Sequence, residues 1–274
     1  MSNEQKLNLL TERFLTLKQE ISILIKNSKN KRNHLQNYLY FAHFPLFTFT
    51  ESIIILYKHG KFNSAHVLLR SLIEAHINII YHQVGNTERK LAISARSMLG
   101  QRLRTLNHLE RLIVKYPNLE STNPEELLNK EYLTKTKEKI ETDIHAVEKG
   151  NNLNEKDTDL MLKSKAIDCD STNLENVGKG HFEFIYALRY RYLSSYTHLD
   201  IEGLQMFVNQ DIDGKHLFSD GDSNNGKVGI TDSIGICVAL VKDLYEHKVL
   251  DGDMPKIVRE IENLLKDLNV DLSK

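Results

Sequence analysis

The stretch FNSAHVLLRSLIEAHINIIYH, residues 62–82, decides the fold of this chain. Leu, Ile, Val and Ala residues place apolar groups on nearly every side of a helix built from it. A helix that is apolar all round is typical of a protein core, whereas a surface helix has a single apolar stripe. Residues 62–82 are therefore predicted to form a buried central helix.

The same stretch carries a polar side chain at every fourth position: His66, Arg70, Glu74, Asn78 and His82. Residues four apart are neighbours on a helix surface, so these side chains form a slowly winding polar ridge. Burying Arg or Glu without a partner costs about 3–5 kcal/mol, so the ridge must be paired or must line a cavity.

Two interpretations of the ridge follow. The first is an internal Arg70–Glu74 ion pair that holds helices in register, and the second is one wall of a polar site. In both we expect Arg70 and Glu74 to be largely buried, with partners on the helix that begins near His181. If the charges are fully buried, Glu74→Ala should cost about 3–5 kcal/mol.

Composition favours an all-α protein. The 274 residues include only 4 Pro and 13 Gly, so few residues interrupt helices. Two cysteines, Cys169 and Cys237, provide neither a disulfide framework nor a metal signature, which indicates a reducing cytoplasm. The polar start MSNEQK is unlike a signal peptide, and no uninterrupted apolar run reaches the ~18 residues of a membrane span. We expect no membrane association.

The predicted architecture is a single multi-helix bundle spanning residues 1–274, with its core at about 33–204. An N-terminal helix at 3–28 and C-terminal helices within 231–268 are expected to pack on that core. The N-terminal helix has an apolar seam suited to a bundle or to a dimer partner. Residues 150–180 form an irregular insert, and residues 206–208 and 227–230 are candidate strands of a loop or small β-hairpin.

Charge is unevenly distributed along the chain. Between residues 88 and 115 there are seven basic residues against two acids, whereas the region after residue 199 is acidic. A basic helix can bind a phosphate backbone. It can equally be a solvated surface, or lie against the acidic half of its own chain.

The helix beginning near His181 carries the best constellation for chemistry, Arg191, Ser194 and His198. Arg191 and His198 are seven residues apart, so on a continuous helix their directions differ by only ~20°. Arg can stabilise charge on a phosphate, and His can move a proton at a 2′-hydroxyl or at a leaving oxygen. These groups suffice for RNA cleavage without a metal, and we predict no cofactor.

Histidines elsewhere give weaker signals. The chain contains no H-E-x-x-H motif and no Cys/His cluster with metal-ligand spacing. Eight residues separate His66 from Glu74, and eight separate Glu74 from His82. Each side chain therefore points ~80° around the helix from the one before it, an arrangement that suits one metal poorly. We therefore predict no metal site.

The Arg191-x6-His198 spacing resembles the R-x4-6-H motif of the HEPN superfamily of helical, nucleotide-binding proteins. Together, LLRSLIEAHINIIYH and YRYLSSYTHLD are also similar to an uncharacterised bacterial domain family with R-S-x-x-E-A early and Y-R-x-L-S-x-x-x-H late. That second resemblance covers roughly residues 41–204.

The HEPN resemblance implies a metal-independent endoribonuclease, acting as a toxin or in phage defence. It implies a homodimer whose Arg191 and His198 pairs form one composite site. From its own spacing, the polar ridge of His66, Arg70, Glu74 and Asn78 is expected to support that site. RNA is the expected substrate, and an antitoxin or defence protein is a candidate partner. The alternative is a non-catalytic helical module that binds RNA or protein, because a shared fold does not by itself carry function.

Overall fold

The structure is a computed structural model that describes residues 1–28, 31–116, 130–171, 180–190, 193, 208–210, 216–218 and 223–272. These residues are overwhelmingly helical, which confirms the predicted all-α class. The α-helices are α1 (Asn3–Asn27), α2 (His34–Lys58), α3 (Phe62–Gln83), α4 (Thr87–Lys115), α5 (Lys130–Asn151), α6 (Leu162–Ser171), α7 (His181–Phe184), α8 (Ser223–Glu246) and α9 (Lys256–Leu272). A π-helical segment, Ile185–Tyr190, continues directly from α7.

A small antiparallel hairpin pairs β1 (Val208–Gln210) with β2 (His216–Phe218), with Asn209 opposite Leu217. The hairpin was predicted, but its second strand was placed wrongly. Residues 227–230 lie inside α8, whose start at Ser223 also precedes the predicted start of the C-terminal helices at residue 231. A run of four residues with only two β-branched side chains, Val228 and Ile230, does not distinguish a buried strand from a buried helix.

The contacts divide the chain into two compact units, residues 1–84 with 162–274, and residues 85–161. In the first unit, α3 packs against α2, α6, α8 and the π-helical segment. Its core includes Leu72 and Ile77 of α3, both fully buried. The burial of α3 confirms the prediction made from its apolar surface, while one domain over residues 1–274 stays a prediction.

The apolar seam of α1 packs within its own chain. Leu10, Phe14 and Leu17 are fully buried, and α1 packs mainly along α9. Phe14 also stacks on Phe47 of α2, with ring centroids 5.6 Å apart. The seam therefore supports the bundle interpretation and is not a free surface for a dimer partner.

The second unit is a hairpin of two long helices, α4 and α5, followed by a turn. Its small core contains Leu99, Leu106 and Ile113 of α4 with Leu133 and Ile140 of α5. The α4 residues follow a seven-residue spacing, so they form one apolar stripe along the helix. The opposite face of α4 is consequently left to solvent.

Several helix ends follow the local sequence rules. Ser2 with Gln5, and Asn33 with Gln36, form complete capping boxes. Gly60 follows the end of α2 with φ of 70°, a left-handed conformation in which glycine has no Cβ penalty. Pro45 lies inside α2 without ending it. Within the predicted irregular insert, residues 162–171 form the helix α6.

Helix α2 is long and apolar enough to cross a membrane, judged by length and composition within the described residues. The sequence criterion considered uninterrupted apolar runs, whereas α2 passes this different test with polar residues among its apolar ones, and the expectation of no membrane association stays a prediction. The core helix of a soluble protein passes the same test. Leu39, Ile53 and Ile54 of α2 are buried, and the helix packs along α3 and α8.

Candidate functional site

The centre of the candidate site is a contact between α3 and the π-helical segment. The Arg70 guanidinium donates to the Tyr190 hydroxyl over 2.8 Å, and that hydroxyl donates to Glu74 Oε2 over 3.4 Å. The Arg70 guanidinium carbon also lies 4.8 Å from the centre of the Tyr190 ring. One tyrosine therefore bridges the two charged residues of the ridge.

This geometry corrects the expectation for Arg70 and Glu74. Arg70 is half-buried and Glu74 is exposed, so neither is the largely buried charge that was predicted. Among the described contacts, both side chains meet Tyr190 rather than each other, so the direct ion pair is replaced by a bridge. The large cost predicted for Glu74→Ala no longer applies, because an exposed carboxylate keeps most of its hydration. The expectation of a partner from the helix beginning near His181 is confirmed by Tyr190.

Electrostatics at this bridge act on the tyrosine. Burial raises the pKa of Tyr190, the Glu74 carboxylate raises it further, and Arg70 opposes both. Tyr190 therefore stays protonated at neutral pH and donates to Glu74. The Nε atom of Arg70 is buried and has no hydrogen-bond partner among the described residues. This arrangement fixes the position of Tyr190.

The helix that carries Tyr190 is also fixed at its start. Both carboxylate oxygens of Asp170, at the end of α6, accept backbone N–H groups of α7: Oδ1 from Phe182 over 3.0 Å and Oδ2 from Glu183 over 2.8 Å. A carboxylate at a helix N-terminus accepts hydrogen bonds from backbone N–H groups that have no partner within the helix. Its negative charge also interacts favourably with the positive end of the helix dipole. Sequence reasoning missed Asp170, since its partners lie beyond a local capping spacing.

The π-helical segment immediately precedes the predicted catalytic arginine. Within it Tyr186 and Tyr190 stack with ring centroids 5.3 Å apart. Single π-helical turns inside α-helices occur often at functional sites. The helix predicted to begin near His181 is present, with π-helical geometry over residues 185–190.

Farther along α3, Asn78 meets a lysine that the sequence did not indicate. The buried Lys165 of α6 donates from Nζ to Asn78 Oδ1 over 2.9 Å and lies 5.2 Å from the centre of the Tyr81 ring. Asn78 in turn donates from Nδ2 to the Glu74 carbonyl over 2.9 Å. The amide oxygen thus receives a buried cation. The sequence signal for a buried Lys165 was its place directly before Ala166 and four residues before Cys169, both of which are buried.

The two histidines at the ends of the ridge are packed inside the bundle. His82 donates from Nδ1 to the Asn78 carbonyl over 2.7 Å, and its ring contacts Tyr38 edge-on at 4.9 Å. His66 is buried where α3 faces α8, and a Cβ added to Gly229 would lie 3.9 Å from its ring. Both histidine side chains therefore pack inside the bundle, and neither points toward the Arg70–Tyr190 contact.

The winding of the ridge explains why its members do not share one site. His66 faces α8, Arg70 and Glu74 face the π-helical segment, and Asn78 faces α6. Within the described residues, no three His, Cys, Asp or Glu side chains are grouped as a metal would require. Arg191, Ser194 and His198 lie outside the described residues, whereas Leu193, among them in sequence, is helical and buried in the core.

Comparison with known proteins adds a family assignment. No curated protein and no solved structure matched the chain. A family model described as "Family of unknown function (DUF5677)" matches residues 36–216, more than half of the chain, and its range includes both the Arg70–Glu74 segment and the Arg191–His198 segment. The chain therefore belongs to this family of unknown function, DUF5677.

Proposed function

We propose that this protein is a metal-independent endoribonuclease in which Arg191 and His198 act on RNA. The observation that carries the proposal is the contact of Arg70 and Glu74 with Tyr190. It joins the two sequence segments that carry the family resemblance, and Tyr190 is the residue directly before Arg191. A structural contact at that point supports a common site built from both segments.

Leu193 gives a second, independent support. It is buried in the core at 3% exposure and lies between Arg191 and Ser194 in sequence. On a helix with 3.6 residues per turn, Arg191, Ser194 and His198 would point roughly 100–160° away from Leu193. The proposal therefore expects these three side chains on the helix face opposite Leu193, where an RNA substrate could reach them.

The proposed chemistry needs only these side chains. The imidazole of His198 accepts the proton of the 2′-hydroxyl, and the 2′-oxygen attacks the adjacent phosphorus. The guanidinium of Arg191 stabilises the charge that develops on the phosphate oxygens, while Ser194 donates a hydrogen bond. The bond to the 5′-oxygen breaks, and that oxygen takes a proton from a second imidazole, which a homodimer with a composite site would supply. The products are a 2′,3′-cyclic phosphate and a 5′-hydroxyl.

In a cell this activity would suit a cytoplasmic toxin or antiviral effector, held in check by an antitoxin or a defence partner. RNA cleavage without a metal does not need an external cofactor. The role as an effector follows from the HEPN resemblance, and the chemistry follows from the residue types. The two parts of the proposal can therefore be tested separately.

The decisive experiment compares wild-type protein with His198→Ala and Arg191→Lys on total RNA in EDTA. We expect wild type to cut and to leave 2′,3′-cyclic phosphate ends. His198→Ala should lose at least ~100-fold in rate, within the range for a general base. Arg191→Lys should also lose most activity, because a point charge does not reproduce the planar guanidinium fork. Wild-type protein that never cuts RNA, or His198→Ala that only lowers the melting temperature, would contradict the proposal.

One observation favours the alternative of a non-catalytic protein-binding module. Phe41, Phe44 and Ile55 lie on one face of α2 and are 69%, 70% and 51% exposed. Clustered exposed apolar side chains often mark interaction surfaces. A homodimer that forms through this face is tested by light scattering of Phe41→Ser/Phe44→Ser. A dimer that dissociates in this variant, together with the absence of RNA cleavage in wild type, would favour the module.

A further inference from the structure

The basic residues of α4 divide into two groups with different surroundings. In its first half, Arg89 pairs with Asp157 over 2.6 Å, and Arg96 pairs with Glu148 over 3.4 Å. Arg96 also donates to the Asn154 carbonyl over 3.0 Å. These arginines hold the turn after α5 against α4, so their charges are used inside the 85–161 unit.

The second half of α4 carries a separate stripe, which we call the basic stripe: Arg104, His108, Arg111 and Lys115. The spacing of four, three and four residues places all of them on one helix face, over roughly 16 Å. All four are exposed. The stripe is opposite the buried residues Leu99, Leu106 and Ile113, so α5 does not cover it.

No acidic residue interrupts the basic stripe. Glu110, the single acid in this half of α4, lies on the flank of the helix and receives Lys137 of α5 over 2.8 Å. Within the part of the chain that the structure describes, Arg104, Arg111 and Lys115 form no ion pair. Three or four like charges on one face repel one another, which is a cost that a bound anion removes.

An exposed aromatic ring stands at the end of the stripe. Lys115 Nζ lies 5.2 Å from the centre of the Tyr116 ring, and Tyr116 is 48% exposed. Basic side chains that follow a phosphate backbone, next to an aromatic ring on which a base can stack, are typical of proteins that bind single strands. A membrane-surface helix instead combines its basic face with an exposed apolar face, and the apolar stripe of α4 is buried against α5.

We infer that the basic stripe of α4 binds the phosphate backbone of single-stranded RNA, with Tyr116 stacking on a base. The choice of RNA rests on the proposed function, whereas the anionic character of the ligand rests on the stripe itself. The 85–161 hairpin would then be an RNA-binding arm whose contacts add affinity without taking part in cleavage.

The test uses a fluorescein-labelled 2′-O-methyl oligonucleotide, which has no free 2′-hydroxyl and therefore reports binding without cleavage. Full-length Arg104→Gln/Arg111→Gln/Lys115→Gln is compared with Lys135→Gln/Lys139→Gln/Lys149→Gln, which removes the same charge from exposed positions of α5. We expect the stripe variant to bind roughly 10- to 100-fold more weakly at ~0.1 M salt. The slope of log K against log salt should fall by about 2, since each phosphate contact contributes about 0.7 for a single strand.

The control variant should bind like wild type, and both variants should melt at the temperature of wild type. Equal binding by the stripe variant and the control would overturn the inference. It would also be overturned if wild type binds phosphatidylserine vesicles through the stripe and not the oligonucleotide. Wild type that binds through the stripe but never cuts unmodified RNA would instead refute the nuclease and leave the stripe intact.

Discussion

Helices α3 and α4 both carry charged or polar residues at helical spacing, yet the residues meet opposite surroundings. On α3 the polar ridge is met in turn by α8, the π-helical segment and α6, and its members bridge helices within the bundle. On α4 the basic stripe faces solvent, because among the described helices α5 packs on α4 and covers its apolar side. The difference shows that residue spacing places side chains on one face of a helix. The neighbouring helices then determine whether that face forms contacts inside the protein or is exposed to solvent.

The sharpest test of this comparison is the buried contact of α3 with Lys165. Asn78→Leu removes the amide oxygen that accepts from Lys165 Nζ over 2.9 Å. A hydrogen bond to a charged group contributes about 1.5–3 kcal/mol, so we expect a loss of that size in the free energy of unfolding, measured by urea denaturation. Lys165→Met is the matched control, because it removes the cation with little change of shape.

The double variant Asn78→Leu/Lys165→Met should be more stable than Asn78→Leu alone, since no buried ammonium then lacks this acceptor. If Asn78→Leu does not change the free energy of unfolding, Lys165 does not make the contact with Asn78. The polar ridge of α3 would then contribute as little to stability as the basic stripe of α4 is expected to.

A second, smaller effect is expected at the bridge. Tyr190→Phe removes the hydroxyl that joins Arg70 to Glu74 and should cost about 1–2 kcal/mol, because both hydrogen bonds are partly exposed. If the bridge positions the neighbouring Arg191, the rate of RNA cleavage by Tyr190→Phe should fall several-fold. The rate is measured well below the melting temperature, so that unfolded protein does not account for the fall. Unchanged cleavage in a folded Tyr190→Phe protein would assign the bridge to packing alone.

The end of α3 offers a test by pH. Gln83 donates from Nε2 to Asp243 Oδ2 over 2.9 Å, and burial raises the pKa of Asp243 to about 6. A carboxyl with a raised folded-state pKa binds more protons folded than unfolded, so stability decreases as pH rises from about 4 to about 6. Asp243→Asn should therefore raise the free energy of unfolding by about 1 kcal/mol at pH 7, less than the full shift implies because the carboxylate is partly exposed.

Most of the advantage of Asp243→Asn should disappear at pH 4, where the wild-type carboxyl is protonated in the folded state and about half protonated in the unfolded one. Thermal melts at both pH values measure this difference. An equal shift of the melting temperature at pH 4 and pH 7 would mean that the substitution acts through packing and not through charge.

The smallest effects are expected on α4. Arg104→Ala and Arg111→Ala each remove an exposed, unpaired charge, so the free energy of unfolding should change by less than about 0.5 kcal/mol. Urea denaturation of the two variants beside wild type checks this. A loss above 1 kcal/mol in either would show that the stripe is covered by other parts of the protein and would remove the contrast between the two helices.

The sequence by itself determined the features that depend on local chemistry. Apolar residues on every side of 62–82 identified the buried helix, because only a helix surrounded by others can bury such a surface. The capping boxes of Ser2 with Gln5 and of Asn33 with Gln36 also depend only on local sequence, since capping partners lie three residues apart. The four-residue period of the polar ridge was equally readable.

Tertiary structure decided the partners. Nothing near Arg70 in sequence indicates that Tyr190, 120 residues away, bridges it to Glu74, and nothing near Asn78 indicates Lys165. The same apolar periodicity would suit an exposed dimer seam in α1, but α9 covers it. Residues 227–230 are helical because they are part of a long helix, a context that outweighs the strand preference of two β-branched residues, Val228 and Ile230. Local spacing fixes the direction of a side chain along its own element, whereas the group it meets depends on which elements the whole chain brings beside it.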